Sequence, residues 1–221
     1  MFDNFLAFFG VDQQIGQSDD VYGTFLSELG GTLFGDGLFH AFPSADVSKW
    51  VSIAEEAFPE LKGRIAPFGH DWLGRIFAVD QHESRKGMIL MLEIGTGQVL
   101  EIPCNLEDFL NEEIILATDA CLAKSFFEEW CSHSNVVPGP NQCIGYRIPL
   151  FLGGADDIAN LELSDMEVYW GIMSQIITHE EKEAPEDSGQ KSRTKLLSWR
   201  IIVGILAIAC IALICIICKF V

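Results

Sequence analysis

The sequence predicts an α+β protein, mixed helices with an antiparallel sheet, followed by one C-terminal transmembrane helix. Three observations lead there. Apolar residues recur with helical spacing in some stretches and with strand spacing in others. Hydrophobic residues make up 49% of the 221 and aromatics 11%, enough for a sizeable core. Residues 201–218 form an unbroken apolar run without a charge.

Asp20 can cap a short helix reaching Leu29, which Gly30 and Gly31 would terminate. Residues 37–41 look extended. Ser44 opens an amphipathic helix with Val47, Trp50, Val51, Ala54, Ala57 and Phe58 on one face, ended by Pro59. Apart from that one extended break, the first 65 residues read as helical. Residues 75–79 and 88–93 are strand-like, and Gly95-Thr96-Gly97 turns the chain into a strand over 98–102. Asn105 caps the next stretch, where Glu107 and Asp108 suit the positive end of a helix. A longer helix should carry Leu116, Ala120, Ala123, Phe127 and Trp130 on one stripe. Residues 143–152 are again extended, and Gly153-Gly154 breaks them. The last such helix starts with a capping box, Ser164 and Glu167, and buries Met166, Tyr169, Met173, Ile176 and Ile177.

The charge is divided unevenly. Thirty-two acidic residues face nine basic ones before position 190, a balance of −23, whereas the remainder carries five basic residues and no acid. Such acidity opposes direct nucleic-acid binding and favours a basic partner, or serves solubility alone. Residues 180–195 are polar, interrupted by Pro185 and Gly189, and read as a tether. The apolar run spans about 27 Å as a helix, close to a bilayer's hydrocarbon core. Trp199, Arg200, Ile201, Cys218 and Lys219 mark the expected anchor. Lys191, Arg193, Lys195 and Arg200 before it, against Lys219 after it, orient the rest toward the cytoplasm, as a single pass.

Chemistry is sparse. The cysteines show no CxxC spacing, and no disulfide framework, zinc site, nucleophile elbow, phosphate loop or metalloprotease helix is present. No catalytic residue, metal site or cofactor is expected. His70-Asp71 and His82-Glu83 are neighbours that a strand would point to opposite faces. The doubled acids Glu112-Glu113, Glu128-Glu129 and Asp156-Asp157 are candidate partner contacts, or simply solvated surface. Trp72 and Arg75 flank Gly74 as a structural ion-pair hub or a recognition patch.

Several segments resemble a known family: Gly35-Asp36-Gly37-Leu38-Phe39, residues 71–78 (Asp-Trp-Leu-Gly-Arg-Ile-Phe-Ala), 97–103, 142–154 (with Gly-Tyr-Arg-Ile-Pro-Leu-Phe-Leu-Gly-Gly) and 160–170 (with Leu-Glu-Leu-Ser-Asp). Over residues 3–178 the chain is similar to the immunity proteins that accompany type VI secretion DNase toxins in bacteria. The resemblance implies a GAD-like region at 1–95 and a C-terminal immunity region at 96–179, followed by a tether at 180–198 and the anchor at 199–221. It further implies a protein that binds a cognate toxin, a basic nuclease, and occludes it without chemistry. The expectation is thus an immunity protein anchored by a single pass in the bacterial inner membrane. The alternatives are a membrane-bound scaffold that recruits a basic cytosolic partner and a tethered hydrolase using His70, Asp71 or a cysteine.

Overall fold

Six strands form a continuous antiparallel meander, whose pleat sends alternate side chains into two separate apolar layers. In this computed structural model, which describes residues 1–183 and 197–198, the chain begins with α1 (Asp3–Phe8) and α2 (Val21–Leu29). Strands β1 (Leu33–Phe34) and β2 (Phe39–Ala41) precede α3 (Val47–Ala57). Then come β3 (Ile65–Asp71), β4 (Ile76–Asp80), β5 (Ile89–Glu93) and β6 (Gln98–Ile102). A helical passage follows: α4 (Leu106–Asp108), a π-helical turn (Phe109–Glu113), α5 (Ile114–Leu116), α6 (Thr118–Leu122) and α7 (Lys124–Ser134). The hairpin β7 (Gln142–Tyr146) and β8 (Leu161–Asp165) leads into α8 (Met166–Glu183). Strand β9 (Leu197–Ser198) pairs with β6 in parallel, so the seven-stranded sheet runs β1 to β6 and then β9.

The register explains the layers. Ile76 lies opposite Leu92 and Ala78 opposite Leu90, and these four side chains meet Trp50, Ala54, Trp170 and Met173 of α3 and α8. Phe77 lies opposite Met91, which lies opposite Leu100, and these point into the other layer, with Phe5, Phe25, Phe39, Phe68 and Phe109. Edge-to-face ring contacts such as Phe2–Phe25 and Phe68–Phe109 knit α1, α2 and the π-helical turn to the sheet. On the opposite face, Lys49 bonds Glu167 at 2.6 Å between α3 and α8. An ion pair this exposed contributes at most about 1 kcal/mol, so apolar contact, not charge, holds these two helices.

Four local readings change. Strand β3 is buried along all seven residues, but Pro67 and Gly69 hide it, because the register shifts between them. The single long helix expected through Leu116 and Trp130 is broken: Ala123 adopts a left-handed conformation at φ 49°, and Leu116 is 83% exposed. The stretch 143–152 is extended only to Tyr146, with a 3₁₀ turn at Leu150–Leu152. The capping box is also displaced. Ser164 pairs with Cys143 inside β8, Asp165 accepts the Val168 N–H as the cap of α8, and Glu167 engages Lys49 instead.

The membrane span needs a larger correction. Among the described residues no helix is long and apolar enough to cross a membrane. The longest, α8, has 18 residues but ends in Glu180, Glu181, Lys182 and Glu183. The anchor residues Trp199, Arg200, Ile201, Cys218 and Lys219 lie outside the described residues. The fold class is therefore a mixed α/β fold without a transmembrane helix among the described residues. The single-pass inner-membrane placement, the membrane as partner and the membrane attachment in all three functional readings lose their support with it.

Candidate partner-binding face

The tight turn between β3 and β4 is the junction on which the C-terminal third is assembled. Gly74, at φ 78°, lets the chain reverse within hydrogen-bonding range of three separate segments. The Trp72 indole donates to the Leu122 carbonyl at 2.9 Å, and Arg75 Nη2 donates to the Cys121 carbonyl at 3.0 Å. Together these two bonds satisfy the C-terminal carbonyls of α6. From β7, the Ile144 N–H donates to Trp72 O at 2.7 Å; from α8, the Trp170 indole donates to Gly74 O at 2.8 Å. Asp71 holds the turn from within, accepting the N–H groups of Leu73 and Arg75 and the Arg75 Nε at 2.6 Å. Burial pushes the Asp71 carboxyl above its ordinary value, against the pull of the Arg75 guanidinium. Trp72 and Arg75 are thus buried and form a structural hub.

The doubled acids occupy three different places. Glu112 and Glu113 lie on the π-helical turn. Glu128 and Glu129 are exposed on α7, where Lys124 lies 3.7 Å from Glu128 one turn away. Asp156 accepts the Tyr146 hydroxyl at 2.6 Å, and Asp157 caps the short 3₁₀ turn ending at Asn160. The last pair therefore shapes the loop between β7 and β8.

The groups a tethered hydrolase would need are unsuited to the task. His70 is buried, donates through Nδ1 to Asp71 O, and is held by burial and by the adjacent His40 at a pKa of about 3. Burial raises the thiols of Cys121 and Cys143 and brings Cys104 up to about 12, so none is a ready thiolate. A cavity of about 60 Å³ borders His40 and His70, with Phe42 and Trp50 on its wall.

What the sequence reading missed is a set of exposed apolar side chains close together along the chain. Ile148, Leu152, Leu163, Val168 and Ile172 are exposed large hydrophobic side chains, all within 25 residues of chain. Val168 and Ile172, 57% and 52% exposed, stand one turn apart on the outer side of α8. Leu163 lies on β8, the strand that feeds α8. Ile148 is bound to the start of β8 through Asn160, which accepts its N–H at 3.0 Å and donates to its carbonyl at 2.8 Å. From Ile148 to Glu181 the chain contains seven acidic residues and no Lys or Arg. Exposed apolar side chains interspersed with acids have the composition of a binding face for a basic protein. The signal available in the sequence was the misfit between α8's buried stripe and its remaining apolar residues, Val168 and Ile172.

Comparison with known proteins bears on this same segment. Residues 118–177 match the family model "T6SS immunity protein Tdi1, C-terminal". The resemblance read across residues 3–178 is corrected to a match over 118–177, and among the described residues no helix is long and apolar enough to serve as an anchor. Tdi1-type immunity proteins are non-catalytic, which is consistent with the expectation that this chain is not an enzyme. No curated protein matches the chain. Among solved structures it is similar to Atu4351 from Agrobacterium tumefaciens, at 20% identity and a TM-score of 0.58, covering 79% of this chain and 89% of that one. At that identity the likeness establishes a shared fold.

Proposed function

We propose that this chain is an immunity-type binding protein that neutralises a protein toxin of basic surface by covering it. The observation that carries the reading is the coincidence of two independent features. The segment matching the immunity-protein model, 118–177, is also the segment whose hairpin and helix expose Ile148, Leu163, Val168 and Ile172 among acids. Within this reading, residues 1–95 are a GAD-like scaffold and residues 96–179 the immunity region, joined through the 71–75 turn. The acidic field accelerates encounter with a basic partner, and the apolar side chains then retain it. Of the doubled acids, Glu128 and Glu129 supply field and not grip, since they are exposed on a helix face.

The test is rescue of growth. The full chain is co-expressed with the toxin encoded beside its gene, and in parallel as the triple variant Ile148→Ser, Val168→Ser, Ile172→Ser. Growth with the full chain and death with an equally abundant, folded triple variant is the expected result. Death in both cases, with the wild-type chain present and the toxin active, refutes the pairing. Equal rescue by both chains refutes the face.

A further inference from the structure

The hairpin's backbone pattern identifies how such a partner would be held. In an antiparallel pair, residues alternate between those bonded to the neighbouring strand and those whose N–H and C=O point away from it. Here Arg147 N–H bonds Asn160 O at 2.8 Å and Met166 N–H bonds Asn141 O at 2.9 Å, which fixes the phase of the alternation. Cys143–Ser164 and Gly145–Glu162 are then the bonded pairs, and Ile144–Leu163 and Tyr146–Leu161 the outward ones. The outward groups of β7 behave accordingly. Ile144 N–H goes to Trp72 O at 2.7 Å and Tyr146 N–H to the Tyr169 hydroxyl at 3.3 Å.

On β8 the outward direction leads to solvent. Leu161 N–H is used locally, by Ile158 O. Leu163 has an exposed side chain, and its N–H and C=O both point away from β7 with no partner among the described residues. The large sheet treats its own edges otherwise: β1 has only two residues, and β6 is met by β9.

We infer that β8 is a strand-addition site: the basic protein partner contributes an extended segment that pairs with β8 at Leu163. Main-chain bonds to the Leu163 N–H and C=O set its register, and the exposed Leu163 side chain covers its apolar residue. The occupant is basic because the edge is acidic on balance: Arg147 pairs with Glu162 at 3.3 Å and Lys49 with Glu167 at 2.6 Å, Asp165 adds a further carboxylate, and the chain as a whole carries a net charge of −18. A second copy of this chain would bring two such acidic edges together and be repelled. The inference rests on the proposed function and specifies the mode of recognition.

The experiment uses the full chain and the toxin encoded beside its gene, carried as a catalytically inactive form. Amide hydrogen exchange of the wild-type chain is followed with and without the toxin, and affinity is measured for Leu163→Pro and Leu163→Thr. Because the Leu163 N–H serves no bond inside the hairpin, proline removes the outward donor without breaking a β7–β8 bond, and Leu163→Thr controls for the lost side chain. Strand addition gives a Leu163 amide that exchanges freely alone and is protected in the complex. It also gives affinity lowered at least tenfold by Leu163→Pro and less than threefold by Leu163→Thr. A complex that forms with an unprotected Leu163 amide, or with equal affinity for Leu163→Pro, overturns strand addition and leaves the immunity reading standing. Absence of both complex and rescue for the wild-type chain overturns the two together.

Discussion

The two edges of the β7–β8 hairpin obey one backbone rule and meet opposite fates. Along β7, every second N–H finds a partner supplied by the rest of the molecule, at Trp72 O and at the Tyr169 hydroxyl. Along β8, the equivalent groups of Leu163 meet no protein among the described residues. The difference does not arise from strand propensity, since Ile144 and Leu163 are equally apolar and sit opposite one another. It arises from what lies next to each strand. The 71–75 turn reaches over β7, while past β8 the chain turns away into α8. The inner edge builds the fold, and the outer edge is the one proposed to take a partner's strand.

Breaking the inner side should cost the most. Arg75→Leu strands the buried Asp71 carboxylate and frees the Cys121 carbonyl, and is expected to lower stability by about 3–5 kcal/mol in urea unfolding. Arg75→Lys should retain part of this, because a single ammonium cannot reproduce the fork.

Acid should loosen the same side of the molecule. His70 has a folded pKa of about 3, against roughly 6.5 in the unfolded chain, so the unfolded state binds more protons between these values. Stability is therefore full above about pH 6.5 and falls as the pH is lowered toward 3, by on the order of a few kcal/mol. His70→Gln should flatten that decline in thermal unfolding followed across pH, whatever it costs at neutrality. His40, which faces His70 across the β2–β3 register and is also lowered by burial, leaves a residual slope.

Smaller still is Trp72→Phe, which retains the ring packing against Phe126 and Phe127 and loses only the indole bond to Leu122 O. It should cost about 1–3 kcal/mol by the same unfolding measurement. At the outer side the expected stability change nearly vanishes. Val168→Ser and Ile172→Ser, both on the wet side of α8, should each stay within about 0.5 kcal/mol of the parent while weakening partner binding. A large stability loss there would mean that the apolar face packs against the chain itself.

How far the sequence reveals this depends on whether a feature is local. Helix α3 was legible because Trp50, Ala54 and Ala57 repeat at helical spacing, and the β5–β6 hairpin because alternating apolar residues flank Gly95-Thr96-Gly97. Strand β3 was not, since Pro67 and Gly69 argue against a strand that only its bulge permits. Ala123 carries no mark of its left-handed conformation, as alanine is normally a helix former. For the hub, the residue types of Trp72 and Arg75 were conspicuous, but their acceptors lie 50 and 46 positions further on. The cap of α8 moved by one residue, from Ser164 to Asp165, because pairing with Cys143 extends β8 that far. The candidate face was least legible, because which edge of a hairpin stays uncovered is decided by elements distant in sequence.

The clasp at the 71–75 turn also bears on inheritance. Cys121, Leu122, Ile144 and Trp170 all belong to the immunity-matching segment, and each is completed by an atom from outside it. Such a segment is a poor cassette for recombination: moved into another host without an Asp-Trp-Leu-Gly-Arg turn, it would arrive with its inner polar groups unmet. New partner preferences are then reached by substitution along β8 and the outside of α8, residue by residue, on a frame that descends intact.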